Sequence, residues 1–276
     1  MAGPDLAAIV RTSAWDRYIA TLFAPAEKRE ALFALYAFDA EVSRISQIVH
    51  DPLPGEIRLQ WWRDVANGER DAEAQGHPVA AALLQSIINH QLPRSAFDTY
   101  CEARIFDYYH DVMPDQTALE TYLGATNSAL IQLACLILDK DAARQAADAS
   151  GHAGVALGIA AIIPQLPRTR SRSQCYVPAD ILSACGLNGA AFITGENKPA
   201  IKNATDALCE LGLAHANKWH IAAKTLPTSV KAAYLPVANA RRILEKAKQP
   251  TQHPAFAPVE LSQLRRLYGI TRAALS

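Results

Sequence analysis

The sequence predicts an all-α protein that forms one domain over residues 1–276. Apolar residues recur at spacings of three and four through most of the chain, and strand-like alternation is sustained nowhere. Glycine is sparse, at 13 residues, while Ala, Leu and Ile are plentiful, which favours helix. No repeat of fixed period and no low-complexity linker divides the chain. We therefore expect about eight to ten helices in one bundle.

Proline, glycine and charged first turns mark where the helices begin and end. The stretch 25–50 opens with Pro25 and carries a single apolar stripe. A Pro/Gly turn opens the next helix, which runs to Gly68, and proline lies at both ends of the helix expected over 77–93. Further helices are predicted over 94–114, 115–139, 141–167, 200–225 and 228–248, followed by a last helix with a basic face. Residues 168–199 are the least regular part.

The charge pattern is asymmetric, although the formal net charge is zero. Residues 1–140 carry 11 basic and 19 acidic side chains, and residues 141–276 carry 16 and 8, so the two halves have net charges of −8 and +8. One interpretation is two oppositely charged faces that pack or dimerise. The other is a basic surface that meets anionic lipid or a phosphate group.

Several classes of protein are disfavoured. The five cysteines form no CxxC pair and the histidines form no HExxH or HxxxH pair, so neither a disulfide framework nor a zinc site is expected. No basic–aromatic cluster indicates nucleic-acid binding. The two longest apolar stretches, 128–138 and 152–167, are predicted to be core helices rather than membrane spans. With no signal peptide visible, we expect a cytoplasmic protein, with peripheral contact to the inner membrane as a further possibility.

Seven motifs occur in an order that resembles the squalene/phytoene synthase family, over roughly residues 15–245. They are "ALFALYAF", "EIRLQWWRDVANG", "GHPVAAALL", "EARIFD", "YLGATNSALIQLACLIL", "HAGVALGIAAIIPQLPR" and "CYVPADIL". The resemblance implies an isoprenoid-synthase-type helical bundle with a central apolar cavity, and it leaves residues 246–276 as a C-terminal extension helix. It also implies head-to-head joining of two prenyl diphosphates, with Mg²⁺ assisting the loss of diphosphate.

The acidic residues that this chemistry requires are missing. The family holds Mg²⁺ with DxxxD and DxxED motifs on facing helices. Aligned by hand, the first motif falls on Ser43 and Gln47, and the second falls on Gln165, Arg168 and Thr169. Because Mg²⁺ prefers several hard oxygen ligands, we expect this chain to bind no metal ion, and we expect no other cofactor. Mg²⁺ is expected only under the alternative that the chain is an active synthase.

Arginines stand in or beside the positions of the lost acids. Arg44, Arg168, Arg170 and Arg172 are candidates to bind a phosphate group directly through their planar guanidinium forks. A solvated basic loop is the alternative. Six residues are candidates to line the cavity, and for the first two of them core packing is an equal alternative: Tyr36, Phe38, Asp39, Trp62, Asp107 and Tyr176.

Two functions compete. "FALYAFDAEVSRI", "IRLQWWRD" and "VKAAYLPVANARRIL" resemble a subgroup that includes a mitochondrial respiratory complex I assembly factor, whose synthase-like domain is also degenerate. That resemblance implies a non-catalytic protein that binds an isoprenoid or lipid and associates with complex I subunits or assembly proteins. The alternative is an active head-to-head prenyltransferase acting on farnesyl or geranylgeranyl diphosphate. A dimerising scaffold with an empty cavity is a third, weaker possibility.

Overall fold

The computed structural model describes residues 5–49 and 51–276, and these residues form a bundle of α-helices. Their bounds are α1 Leu6–Ser13, α2 Trp15–Leu22, α3 Ala26–Ile48, α4 Pro52–Asn67, α5 Asp71–Ala74, α6 Pro78–His90, α7 Arg94–Ala103, α8 Gln116–Leu123, α9 Ala129–Leu138, α10 Lys140–Gln145, α11 Ala147–Ile162, α12 Leu166–Ser171, α13 Ala179–Ala184, α14 Gly189–Thr194, α15 Lys198–Ala222, α16 Lys231–Tyr234, α17 Ala240–Ala247 and α18 Gln263–Leu275. Short 3₁₀ turns occur at Arg104–Tyr108, Ile163–Gln165, Ala223–Thr225, Thr228–Val230 and Leu235–Asn239, and a π-helical turn, Gly124–Ser128, joins α8 to α9.

The all-α prediction is confirmed: across 5–49 and 51–276 there is no β-strand, only an isolated bridge between Val112 and Cys175. The number of helices is larger than the eight to ten predicted. Several predicted helices are interrupted, since 115–139 contains a π-helical turn and 141–167 is divided into α10, α11 and a 3₁₀ turn. The part predicted to be least regular, 168–199, contains the short helices α13 and α14.

Proline and glycine mark several helix ends, although the Pro/Gly turn predicted before the second helix is instead the first turn of α4. Pro52 and Pro78 occupy the first turns of α4 and α6, where a missing N–H costs no hydrogen bond. The ring of His77 accepts the N–H of Ala80 and caps α6. Helix α4 ends at Gly68, whose φ of 80° lies in the left-handed region that glycine adopts most readily.

Close packing around α11 forms the centre of the bundle. Helix α11 packs along α15 and against the π-helical turn. A Cβ placed on Gly154 would lie 2.3 Å from the backbone N of Ser128, so only glycine permits this approach. The Ala- and Gly-rich composition of α11 therefore serves tight packing, as the sequence predicts.

Two helical stretches are long and apolar enough to cross a membrane, Gln116–Leu138 and Ala147–Ser171. In each, 61% of the apolar window is buried inside the molecule. Burial of this kind is typical of core helices, the role predicted for them, and length and composition alone are weak evidence for a membrane span.

The last helix, α18, packs back on the start of the chain. Ile270 is buried against Ile19, Ala20 and Leu235 in a small second core. Arg266 Nε donates to Asp16 Oδ1 at 2.9 Å, which ties α18 to α2. The segment after residue 245 is therefore attached to the bundle rather than extended from it.

Candidate functional site

The main cleft of the molecule has a volume of about 990 Å³. Its walls come mainly from α2, α3, α8, α11, α12 and α17, from the Arg104–Tyr108 and Leu235–Asn239 turns, and from the start of α18 with the loop before it. Apolar side chains such as Leu123, Leu157 and Ile162 line part of it. Charged and uncharged polar side chains line the rest, so this cleft is of mixed character.

All five positions of the degenerate motifs face this cleft. Ser43 and Gln47 come from α3, and Gln165, Arg168 and Thr169 come from the segment that leads into and through α12. The hand alignment thus places the two motif segments on walls of the same cavity. None of the five residues carries a carboxylate.

The two motif segments are joined by arginine side chains. Arg168 Nη2 donates to Gln47 Oε1 at 3.3 Å. The guanidinium of Arg172 donates to the backbone carbonyls of Ser46 and Gln47, at 3.3 and 3.2 Å, near the C-terminal end of α3. Cations are favoured at this end of a helix, where carbonyl groups lack helical partners. Direct side-chain contacts therefore connect the segments in which the family motifs place metal ligands.

Three of the four predicted phosphate-binding arginines line the cleft: Arg44, Arg168 and Arg172. Arg170 does not line the cleft, contrary to the prediction. Its guanidinium donates to the backbone carbonyls of Phe192 and Ile193 at 2.9 and 3.0 Å. The reason is helical geometry: Arg168 and Arg172 are four residues apart and share a face, whereas Arg170 lies about 200° from Arg168.

The six predicted cavity residues divide into two groups. Asp39, Asp107 and Tyr176 line the cleft, whereas Tyr36, Phe38 and Trp62 do not. Phe38 is fully buried and packs against the rings of Trp62, Phe97 and Tyr100, with ring centroids 5.2–5.5 Å apart. It lies about 100° from Asp39 around α3, which directs it away from the cleft.

The other two members of that second group, Tyr36 and Trp62, also lie outside the main cleft. Tyr36 is buried beneath the guanidinium of Arg17, 5.3 Å from the ring centroid. Trp62 borders a separate pocket of about 270 Å³ together with Trp61 and His77. Tyr36, Phe38 and Trp62 therefore lie outside the main cleft, and for Tyr36 and Phe38 this agrees with the core-packing alternative.

Asp39 is the centre of a buried ionic network in the cleft wall. It forms an ion pair with Arg17, accepts a hydrogen bond from the Tyr100 hydroxyl, and lies 3.3 Å from Arg104 Nη2. Burial acts to raise the pKa of Asp39, but Arg17 and Arg104 outweigh it and hold the pKa below its ordinary value. The carboxylate is thus ionised and fully engaged with cations of the protein itself.

Asp107 is engaged in the same way. It accepts hydrogen bonds from the hydroxyls of Tyr176 and Tyr122, at 2.6 and 2.7 Å, and lies 3.2 Å from Arg104 Nη1. Burial, reinforced by the charge of Asp107, raises the pKa of both tyrosines. The phenols therefore remain protonated donors, and Arg104 bridges Asp39 to Asp107.

The donor set does not fit Mg²⁺. This ion prefers octahedral oxygen coordination, with carboxylates that bridge it to phosphate. The two buried carboxylates of the cleft, Asp39 and Asp107, are neutralised by arginines, and Asp16 is paired with Arg266. Residues 5–49 and 51–276 contain no group of three or more His, Cys, Asp or Glu side chains placed to hold a metal ion. The acidic side chains of Asp16, Asp39 and Asp107 are thus held by arginines of the protein itself rather than grouped around one point.

Comparison with known proteins identifies the family to which this helical architecture belongs. A sequence model of the squalene/phytoene synthase family matches residues 10–266. The chain belongs to the squalene/phytoene synthase family. The match extends on both sides of the 15–245 predicted, and it includes the loop that lines the cleft before α18.

The chain is similar both to proteins named as assembly factors and to proteins named as enzymes. The human protein "NADH dehydrogenase (ubiquinone) complex I, assembly factor 6" is 26% identical over 248 residues, covering 87% of this chain and 72% of its own length. Presqualene diphosphate synthase of Zymomonas mobilis is 25% identical over 176 residues, covering 62% and 58%. The crystal structure of squalene synthase HpnC from Alicyclobacillus acidocaldarius superposes with a TM-score of 0.71 at 17% identity, covering 92% and 94%. That likeness shows the shared fold.

Sequence reasoning missed the cations of the buried network. Arg104 could have been found, because it stands three residues before Asp107 in the motif "EARIFD", a spacing that brings helical side chains together. Arg17 gives no such signal, since it is 22 residues from Asp39 and reaches it from another helix. Tyr122 was visible only as the first residue of the motif "YLGATNSALIQLACLIL".

Proposed function

We propose that this chain is a non-catalytic member of the squalene/phytoene synthase family that assists the assembly of respiratory complex I. The observation that carries the proposal is the composition of the two facing motif segments. None of the five positions at which the family motifs carry metal ligands has a carboxylate here. Arg168 of one motif segment contacts Gln47 of the other. The similarity to assembly factor 6 of complex I supports the assembly role, with complex I subunits or other assembly proteins as partners.

The proposed ligand of the cleft is an isoprenoid or other lipid. Leu123, Leu157 and Ile162 provide apolar surface for a hydrocarbon chain. Arg44, Arg168 and Arg172 provide donors for an anionic or polar head group without a metal ion. A ligand of this kind is consistent with the proposed location, in the cytoplasm and peripheral to the inner membrane.

An active head-to-head prenyltransferase is the second candidate, and the similarity to presqualene diphosphate synthase favours it. The shared fold does not decide the matter, because one fold supports many functions. Stabilising a departing diphosphate is an electrostatic task, and loss of its metal clamp removes several kcal/mol of that stabilisation. At about 1.4 kcal/mol for each tenfold in rate, such a loss leaves little turnover.

Deletion of the gene tests the assembly role. We expect the deletion strain to have low membrane NADH:quinone reductase activity and little assembled complex I, with normal levels of squalene-derived and carotenoid products. The wild-type gene should restore the complex, and an active synthase of the family should not. Normal complex I together with a loss of prenyl products would contradict the proposal and favour the enzyme.

Mass spectrometry tests the proposed ligand separately. The protein is purified under mild conditions and its native mass is compared with the mass of the bare chain. A co-purifying isoprenoid or lipid that is lost from an Arg168→Gln/Arg172→Gln variant is the expected result. A bare mass for the wild-type protein would contradict lipid binding while leaving the assembly role standing.

A further inference from the structure

Helix α18 has apolar residues on two opposite faces. Ile270 is buried against the second core, whereas Leu264, Tyr268 and Leu275 are 79%, 62% and 80% exposed. At about 100° per residue, these three exposed residues fall within an arc of about 40°. That arc is centred roughly 140° from Ile270, so it faces away from the bundle. We call this surface, formed by Leu264, Tyr268 and Leu275, the outer stripe.

Positive charge borders the outer stripe. Arg265 and Arg272 are exposed and lie beside it around the helix, and Arg242 approaches the ring of Tyr268, 5.8 Å from its centroid. No residue of α18 is acidic. The third arginine of the helix, Arg266, points inward and is paired with Asp16. The exposed charge on this face of α18 is therefore entirely cationic.

The combination of groups selects one kind of partner. Aliphatic side chains enter the acyl boundary of a bilayer, tyrosine sits at the level of the head groups, and arginine reaches lipid phosphates. We propose that the outer stripe, with Arg265 and Arg272, docks this protein on an anionic membrane surface. For its biological setting the inference rests on the peripheral location in the proposed function, but its test does not require complex I.

Helix α18 and the loop before it lie beside the main cleft, which matters for docking. Arg266 and the preceding loop residues Glu260 and Leu261 line the main cleft. Docking through the outer stripe therefore brings that wall of the cleft close to the bilayer.

Vesicle binding of the full chain tests the inference. We expect sedimentation with vesicles of phosphatidylglycerol and phosphatidylcholine, little binding to phosphatidylcholine alone, and weakening by salt. The affinity of a Leu264→Glu/Tyr268→Glu variant for these vesicles should fall by at least about tenfold. An Arg265→Gln/Arg272→Gln variant should lose most of the preference for anionic vesicles. Circular dichroism and the melting temperature establish that each variant is folded.

A matched control carries the same change at exposed apolar residues of other helices. Ile88 on α6 and Ile221 on α15 are 61% and 67% exposed, and the double variant Ile88→Glu/Ile221→Glu, which adds the same two charges, should leave vesicle binding unchanged. The inference is overturned if the wild-type chain ignores anionic vesicles, or if the control weakens binding as much as the stripe variant. It is also overturned if the stripe variant changes only the oligomeric state, because the stripe would then be a protein contact. None of these results bears on the assembly role.

Discussion

Arg168 and Gln47 contact each other across the cleft, with 3.3 Å between the guanidinium Nη2 and the amide Oε1. They occupy positions at which the aligned family motifs carry acids. In a synthase, a metal ion joins carboxylates on the two walls through the phosphates of the substrate. Here a side-chain cation on one wall donates directly to a neutral side chain on the other.

Restoring the acids should restore metal binding. We predict that Ser43→Asp, Gln47→Asp, Gln165→Asp, Arg168→Glu and Thr169→Asp, combined in one chain, create a Mg²⁺ site, because all five positions line one cleft. Isothermal titration calorimetry should show Mg²⁺ binding that EDTA removes, and the wild-type chain should show none. Equal binding by both chains would contradict the alignment of the motifs with the cleft.

Removing the charge of Asp39 should destabilise the protein strongly. In Asp39→Asn, Arg17 and Arg104 remain buried without their shared carboxylate, and breaking a buried ion pair from one side costs about 3–5 kcal/mol. Urea unfolding should show a loss of this size. Glu245→Gln, which breaks an exposed pair with Arg241, is the control and should leave the midpoint nearly unchanged. A loss no larger than that of the control would mean that the network adds little to stability.

Two glycines of α11 should respond oppositely to alanine. At Gly154 a Cβ would meet the backbone of Ser128, so Gly154→Ala should destabilise by about 1–3 kcal/mol through overpacking. At Gly151 nothing lies within 4 Å, so Gly151→Ala should be neutral or stabilise by up to about 1 kcal/mol. Thermal unfolding measures both. Equal effects would show that α11 does not press on the π-helical turn as described.

A histidine pair between α11 and α15 should make stability depend on pH. The Nδ1 atoms of His152 and His215 lie 3.1 Å apart, and His215 Nε2 lies 3.4 Å from Glu120 Oε1. Burial lowers the pKa of His215 from 6.5, and His152 lowers it further while Glu120 opposes the change. A histidine whose pKa is lower in the folded state than in the unfolded state contributes to the free energy of unfolding at pH values above its unfolded-state pKa. That contribution is lost as pH falls below 6.5.

The substitution His215→Gln should therefore flatten the decline in unfolding free energy below pH 6.5, because glutamine does not titrate. The matched control is His220→Gln, on the same helix but exposed, which should keep the wild-type slope. Urea unfolding at several pH values between 5 and 7.5, roughly spanning the ordinary histidine pKa, measures the slope. Identical slopes for wild type and His215→Gln would remove the pair as a source of pH dependence.

The helices could be predicted where local residues determine them. Helix α4 ends before Gly68, as its glycine indicates, although it begins at Pro52, within the segment predicted to be a turn. The π-helical turn could not be predicted in the same way. It lies against Gly154, far along the chain, so the local pattern of 115–139 reads as one continuous helix.

The candidate site could be predicted in part for a similar reason. The order of the motifs was enough to place Ser43, Gln47 and Arg168 on one cleft. Burial and pairing depend on helices that are distant in sequence, which is why the Arg17–Asp39 pair was missed. The misassignment of Arg170 was avoidable, since a spacing of two residues on a helix points a side chain to another face.

The most direct test of the central claim is diphosphate release from farnesyl or geranylgeranyl diphosphate in the presence of Mg²⁺. An active synthase of the family, assayed in the same buffer, establishes that the conditions support turnover. We predict that the purified chain releases no more diphosphate than a sample without protein, with or without a chelator. Release that depends on Mg²⁺ and stops on addition of EDTA would contradict the claim that this cleft has lost its metal-dependent chemistry.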